Sequence, residues 1–209
     1  MAAGGRGQPG KKGDILRGAL SVFARDGYTR ASIDAISAEA GVSTRTIYNH
    51  FQDKAALFVA VVRGSTEGVA EIQTGIIARH SLSDGDLEAR LTALALDLAA
   101  PMSGDHAEHF ALVRQLDAES AHVPAEAVTA WLESGPDQVQ GLLAAKFAEL
   151  AEAGLVRAGE PGVAARHFLL LVRGALPFQH GLGGLGAGGV EDAVRDGVRA
   201  FLWGYGVRG

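Results

Sequence analysis

The stretch Ala40-Gly41-Val42-Ser43-Thr44-Arg45-Thr46-Ile47-Tyr48-Asn49-His50-Phe51-Gln52-Asp53-Lys54 concentrates polar chemistry near the N-terminus of a 209-residue chain. A guanidinium, an amide, a phenol, an imidazole, an ammonium and several hydroxyls stand between Thr44 and Lys54. This set of donors reads base edges in the major groove and grips phosphate oxygens. Helical spacing sorts it. With Ile47 turned to a core at about 100° per residue, Phe51 falls on the same face. Arg45 and Asn49 then point almost directly away, with Tyr48 and Thr46 on the flanks and Thr44 at the exposed first turn. Lys54 stands in the first turn of a following helix, where its charge adds to unpaired N–H groups that favour an anion. A merely solvated helix face offers the same residue types, so the surrounding elements have to decide.

Those elements read as helices. Ile15, Leu16, Ala19, Leu20 and Phe23 form one helical stripe, and Gly27 is expected to end it as a left-handed cap. Ser32 is a good N-cap for a second helix that turns Ile33, Ile36 and Ala40 inward and stops at Gly41. Ser43 then caps a third, and Val42 can pack on Ile47 as a hydrophobic staple. Asp53 caps a long fourth helix reaching roughly Ile77. Two short helices joined through a glycine, behind a longer supporting helix, are the pattern of a helix-turn-helix.

Further stripes follow. They are Leu87/Leu91/Leu94/Leu98, Phe110/Val113/Leu116, Val128 to Leu132, Val139 to Leu150, Val163 to Phe178 (with Pro161 in a first-turn position) and Val190 to Tyr205. No run shows sustained period-2 alternation. The expected fold is all-α with roughly nine or ten helices. A three-helix N-terminal helix-turn-helix domain would precede a larger helical C-terminal domain. The expected boundaries are 1–10 for a flexible arm, 11–56 for the helix-turn-helix domain and 57–209 for the helical remainder.

Composition narrows the function. Apolar residues make up 47% of the chain, enough for a real core, and no run of about 18 apolar residues marks a membrane span. The absence of cysteine excludes disulfides, thiolate catalysis and Cys-based zinc sites. MAAGGRGQPGKKGD carries no apolar h-region, so the default expectation is a cytoplasmic location. Residues 1–60 hold eight basic and five acidic residues (8 − 5 = +3), and residues 61–209 hold eleven and nineteen (11 − 19 = −8). A basic head on an acidic body suits a polyanion-binding head whose body is kept off the polyanion.

Gly181-Leu182-Gly183-Gly184-Leu185-Gly186 spells G-x-G-x-x-G, but a dinucleotide loop needs a preceding strand, and the preceding segment is helical in pattern. His106 and His109 are spaced to start a metal site, yet no further ligand is in register. No nucleophile elbow, P-loop or paired-histidine metalloprotease spacing occurs, so the chain is not expected to be an enzyme.

The segment ILRGALSVFARDGYTRASIDAISAEAGVSTRTIYNHFQDKAALF resembles the N-terminal domain of the TetR/AcrR family of transcriptional regulators. Phe23, Gly27, Tyr28, Ser32, Ile36, Ala40-Gly41-Val42-Ser43, Tyr48, Phe51, Lys54, Leu57 and Phe58 carry the likeness in order and spacing. It implies that Thr44 and Arg45 approach base edges, while Thr46, Tyr48, His50 and Lys54 face the phosphate backbone. Position 45 is often glycine in the family, so Arg45 would add a contact. The stretch from Phe110 to Leu176 resembles an AefR-like C-terminal domain, which implies a homodimer and a ligand cavity.

Two half-sites about one DNA turn apart give a dimer its affinity and a palindromic preference. Phe168, Leu169, Val172, Leu176, Val194, Val198, Phe201 and Leu202 are the expected dimer face. The same residues would also serve as intrachain core. Met102, His106, Phe110, Arg114, Trp131, Phe168, Arg173 and Phe178 are candidates to line an effector pocket, since such pockets are mostly apolar with few polar anchors. They could equally be plain core. The expected function is a homodimeric repressor released from a palindromic operator in double-stranded DNA by a small molecule. No cofactor, metal or membrane is implied. The alternatives are a DNA-binding dimer without an effector and, remotely, a nucleotide-dependent enzyme using the glycine run.

Overall fold

The computed structural model describes residues 10–82, 85–100, 106–157, 159–174 and 187–207. Among them the chain forms ten helices and no strand, apart from a single antiparallel bridge between Val156 and Gly206. In order these are α1 (Lys11–Arg30), α2 (Ile33–Ala40), α3 (Thr44–His50), α4 (Lys54–Arg79), α5 (Leu87–Ala99), α6 (Ala107–Ala118), α7 (Ala125–Ser134), α8 (Pro136–Glu152), α9 (Pro161–Gly174) and α10 (Ala187–Tyr205). The all-α expectation holds, as does the placement of Pro161 at a helix start.

The chain divides into two compact units, and neither is one continuous segment. The first takes Met1–Gly68 with Asp105–Ser134, and the second takes Val69–Gly104 with Gly135–Gly209. A single cut after residue 56 therefore misses that α6 and α7 pack with the N-terminal helices. The reason is their apolar faces: Leu112, Leu116 and Ala127 are buried in one cluster with Ile15, Phe23, Ile36, Ile47 and Phe58. Within that core Phe58 meets Phe23 edge-on at 4.8 Å and Tyr28 at 4.8 Å.

The second unit has its own apolar core. Phe147, Phe168 and Phe201 pack mutually at ring-centroid distances of 5.0 to 5.5 Å, and Tyr205 stacks on Phe201 at 4.7 Å. Leu91, Leu94, Leu143, Val172, Val194 and Val198 complete it.

Gly27 breaks α1 at a positive φ, as expected, but not as a left-handed cap: at φ 77° and ψ 174° it separates the main helix from one further turn to Arg30. That region of backbone space is essentially restricted to glycine.

Candidate nucleic-acid interface

Local rules build the helix-turn-helix. Ser32 Oγ accepts from Ala35 N at 3.1 Å and starts α2. Gly41, at φ 65°, closes it: Gly41 N donates to Ala38 O at 3.3 Å and Val42 N to Ser37 O at 3.0 Å. This is a Schellman closure, with glycine at its left-handed position. One residue later Ser43 Oγ accepts from Thr46 N at 3.2 Å and caps α3. Close packing also fixes α2 against α1. A Cβ on Gly18 would stand 2.7 Å from Ala40 N, so only glycine admits this approach.

α3 is therefore held by Ile47 (1% exposed) and Phe51 (7% exposed), with Val42 packed against the same core. Arg45, Tyr48, Asn49 and His50 are exposed, and Thr44 and Thr46 are half-buried. The Thr46 hydroxyl lies 2.9 Å from Ser43 Oγ, so it already has a partner within the cap. The Tyr48 ring is the largest exposed apolar body on this face, at 56%.

Lys54, expected at the phosphate backbone, places its ammonium against the α1–α2 turn. Its Nζ donates to the carbonyl oxygens of Tyr28 at 2.9 Å and Ala31 at 3.1 Å, and it lies 4.5 Å from the centroid of the Tyr28 ring. The helix start it occupies is capped instead by Asp53, whose Oδ1 accepts from Ala56 N at 2.7 Å. Burial, with Asp53 nearby, pushes the Tyr28 hydroxyl above its ordinary pKa.

The residues expected to line an effector pocket do not share one unit. His106, Phe110, Arg114 and Trp131 belong to the first, and Phe168 belongs to the second. Phe168 is fully buried between Phe147 and Phe201, so it is core. Phe110 is buried with its ring 5.0 Å from that of His109, while Arg114 is exposed. Met102, Phe178 and the side chain of Arg173 lie outside the described residues, as does the 181–186 glycine run. Two clefts open in the second unit. One of about 200 Å³ is lined by residues that include Arg79, His80, Lys146 and Glu149, and one of about 810 Å³ by residues that include Leu155, Leu202, Trp203 and Val207.

The residues of the expected dimer face form intrachain core, the second role expected of them. Phe168, Val172, Val194, Val198 and Phe201 are buried within the chain, and Leu169 and Leu202 pack on the same core. Leu176 lies outside the described residues. Among the described residues, the large apolar side chains still exposed on these helices are Val163, Leu170 and Leu171 on α9 and Trp203 on α10.

Several hydrogen bonds have no signature in the sequence. His109 Nδ1 is hydrogen-bonded to Ser65 Oγ at 2.9 Å, Ser21 Oγ donates to Glu108 at 2.7 Å, and Glu119 accepts from Thr29. Each links residues far apart in the chain. Among the described residues no group of three or more His, Asp or Glu side chains is gathered to hold a metal, and no helix is long and apolar enough to cross a membrane.

A capped, glycine-closed helix pair presenting a polar outer face defines a helix-turn-helix protein. The model for bacterial regulatory proteins of the tetR family matches residues 15–61, and that for the AefR-like transcriptional repressor C-terminal domain matches residues 89–207. The chain belongs to the tetR family, whose members are DNA-binding regulators and not enzymes. The HTH-type transcriptional repressor Rv1474c of Mycobacterium tuberculosis is 39% identical over 62 residues, 30% of this chain and 33% of that protein. The chain thus spans about a third of the length of the curated relatives it matches. A crystal structure assigned to the TetR-family transcriptional regulators, from Mesorhizobium loti, is 30% identical with a TM-score of 0.77, covering 94% of this chain and 97% of that one. The flavonoid-responsive regulator FrrA is also 30% identical, with a TM-score of 0.70 and coverage of 95% and 98%.

Proposed function

We propose that this protein is a homodimeric repressor that binds a palindromic operator through α3 and is released from it by a small amphipathic molecule. The observation that carries the reading is the division of α3: Ile47 and Phe51 are buried, while Arg45, Tyr48, Asn49 and His50 are exposed. Arg45 supplies a forked guanidinium for a base edge or phosphate, with Thr44 beside it in the first turn. Tyr48 and His50 meet the phosphate backbone, and Thr46 does so through what remains of its hydroxyl's capacity.

Dimerisation follows from the reach of one short helix, which covers only a few base pairs. Two heads spaced about 34–36 Å apart, or a multiple of that, read a palindrome. The exposed Val163, Leu170, Leu171 and Trp203 supply the apolar surface for the second copy. Release by a ligand is supported by the relative named flavonoid-responsive and by the likeness to an AefR-like repressor domain. For such a switch the ligand must bind the released form better than the DNA-bound form, so ligand and operator weaken each other.

Selection of bound DNA from a random pool tests the reading. A palindrome with two half-sites is the expected outcome, and a pool that stays unenriched refutes it. On the selected operator, Arg45→Ala and Tyr48→Ala each cost about 1–3 kcal/mol of binding with the dimer still folded. A true ligand that left operator affinity unchanged would rule out the release step.

A further inference from the structure

One face of α6 sets a carboxylate at each end of an apolar contact. At about 100° per residue, Glu108, Leu112, Leu116 and Glu119 fall on a single stripe. Leu112 and Leu116 are buried in the same core as Ile15, Val22 and Phe23 of α1. Glu108 accepts from Ser21 Oγ at 2.7 Å, and Glu119, just past the helix end, accepts from Thr29. We propose that Glu119 is a positioning residue for DNA reading: from the end of α6 it fixes the α1–α2 turn, from which Lys54 and the recognition helix are aligned. The inference rests on the DNA-binding reading above.

Both Thr29 donors converge on one oxygen. Thr29 N lies 2.8 Å and Thr29 Oγ1 2.9 Å from Glu119 Oε2. The other oxygen, Oε1, sits beside Gly27, where a Cβ would stand only 2.2 Å from it. Glycine at this position therefore serves both the break in α1 and the seat of the carboxylate.

Glu119 is itself held at its backbone. Its N–H donates to Gln115 O at 2.9 Å, and its carbonyl accepts from His122 N at 2.7 Å and Val123 N at 3.1 Å. A carboxylate fixed at its own backbone and bonded to a backbone N–H sets the distance between two elements, which a pair of mobile surface side chains does not.

The turn carries what the head must aim. Its carbonyls at Tyr28 and Ala31 accept from Lys54 Nζ at 2.9 and 3.1 Å. An ammonium has three donors, so one remains for a phosphate oxygen, the contact expected of Lys54. Directly after Ala31, Ser32 caps α2, which leads through Gly41 to α3. A displaced turn moves the ammonium and the base-facing helix together.

Electrostatics gives the test its sign. Taking a carboxylate from the head removes a repulsion toward DNA, so on charge alone any neutral variant of Glu119 binds DNA as well or better. Glu119→Gln keeps an oxygen for both Thr29 donors and Glu119→Ala keeps none, while each removes the same charge. Full-length protein is titrated with the selected operator and with non-specific DNA. Operator affinity of Glu119→Ala is expected about tenfold below that of Glu119→Gln, the scale of the lost hydrogen bonds, with the two alike on non-specific DNA. Equal operator affinity of the two variants, or an equal loss on both DNAs, overturns the proposal.

If Glu119→Ala does not fold, Thr29→Val takes its place. It alters no charge, removes one of the two donors at an exposed position, and is expected to weaken operator binding about threefold, the scale of one hydroxyl bond. Full operator affinity of that variant overturns the proposal. Hydrogen exchange at the Thr29 amide needs no DNA: slow exchange in the wild type supports the latch, and free exchange overturns it alone. Failure of the wild type to select any DNA instead removes the DNA-binding reading, and this role with it.

Discussion

Each unit combines an apolar core with hydrogen bonds at its turns, and the two differ in emphasis. In the second, three phenylalanines and Tyr205 pack against one another, and aliphatic side chains complete the core. In the first, an apolar core is supplemented by polar pins at its turns: Ser43 on α3, Lys54 on the α1–α2 turn, and Glu119 on Thr29. Apolar packing is non-directional and tolerates small shifts, whereas a hydrogen bond to a backbone group fixes an angle. A face that must present Arg45 and Tyr48 at set positions needs the second kind of constraint. The second unit carries such bonds too, from Arg90 to Ser81 O and from Gln140 to Gly162 O, beside its aromatic cluster.

Mutations can break that contrast, and the largest effect belongs to the body. Phe201→Ala removes the ring shared by Phe147, Phe168 and Tyr205, and about 3–5 kcal/mol of stability should go with it in chemical denaturation. A loss under about 1 kcal/mol, the size of a minor core change, would mean that the aromatic cluster is not what holds the second unit.

Next comes Gly18→Ala, which drives a methyl against the Ala40 backbone. Overpacking of this kind costs about 1–3 kcal/mol, and operator affinity should fall with stability because α2 is displaced. Loss of stability with unchanged DNA binding would show that the head tolerates movement of its support.

Ser43→Ala should cost about 1 kcal/mol of stability through the lost cap, and weaken operator binding further than that because α3 is short. An effect on DNA binding no larger than that of any surface serine would sink the distinction between pins and packing. The smallest expected effect is at the surface of the second unit. Arg199 bonds Glu88 at 2.8 Å with both side chains exposed, so Glu88→Gln should leave the denaturation midpoint where it is.

Much of the head is legible in sequence because its rules are local. Ser32, Gly41 and Ser43 act on neighbours within four residues, and the 3.6-residue period of Ile47 and Phe51 states which side of α3 is buried. The division of the α9 and α10 stripes between core and surface is illegible for a related reason. Period alone identifies Phe168, Val172, Val194, Val198 and Phe201 as apolar faces, yet cannot say whether the partner surface is in the same chain. Gly27 reads as a stop signal because a positive φ is what glycine offers. Its other use, making room for a carboxylate 92 residues later, is not written in its neighbourhood.

The sequence alone therefore determined the helices, the caps at Ser32, Gly41, Ser43 and Asp53, the polar outer face of α3 and the family, since each depends on residues close in the chain. Only the tertiary structure decided that α6 and α7 join the head, that the α9 and α10 stripes are spent in the core, and that the Lys54 ammonium meets the α1–α2 turn. Those outcomes depend on which surfaces and backbone carbonyls meet after folding. A side chain's nearest partner in space is not fixed by its position in the sequence.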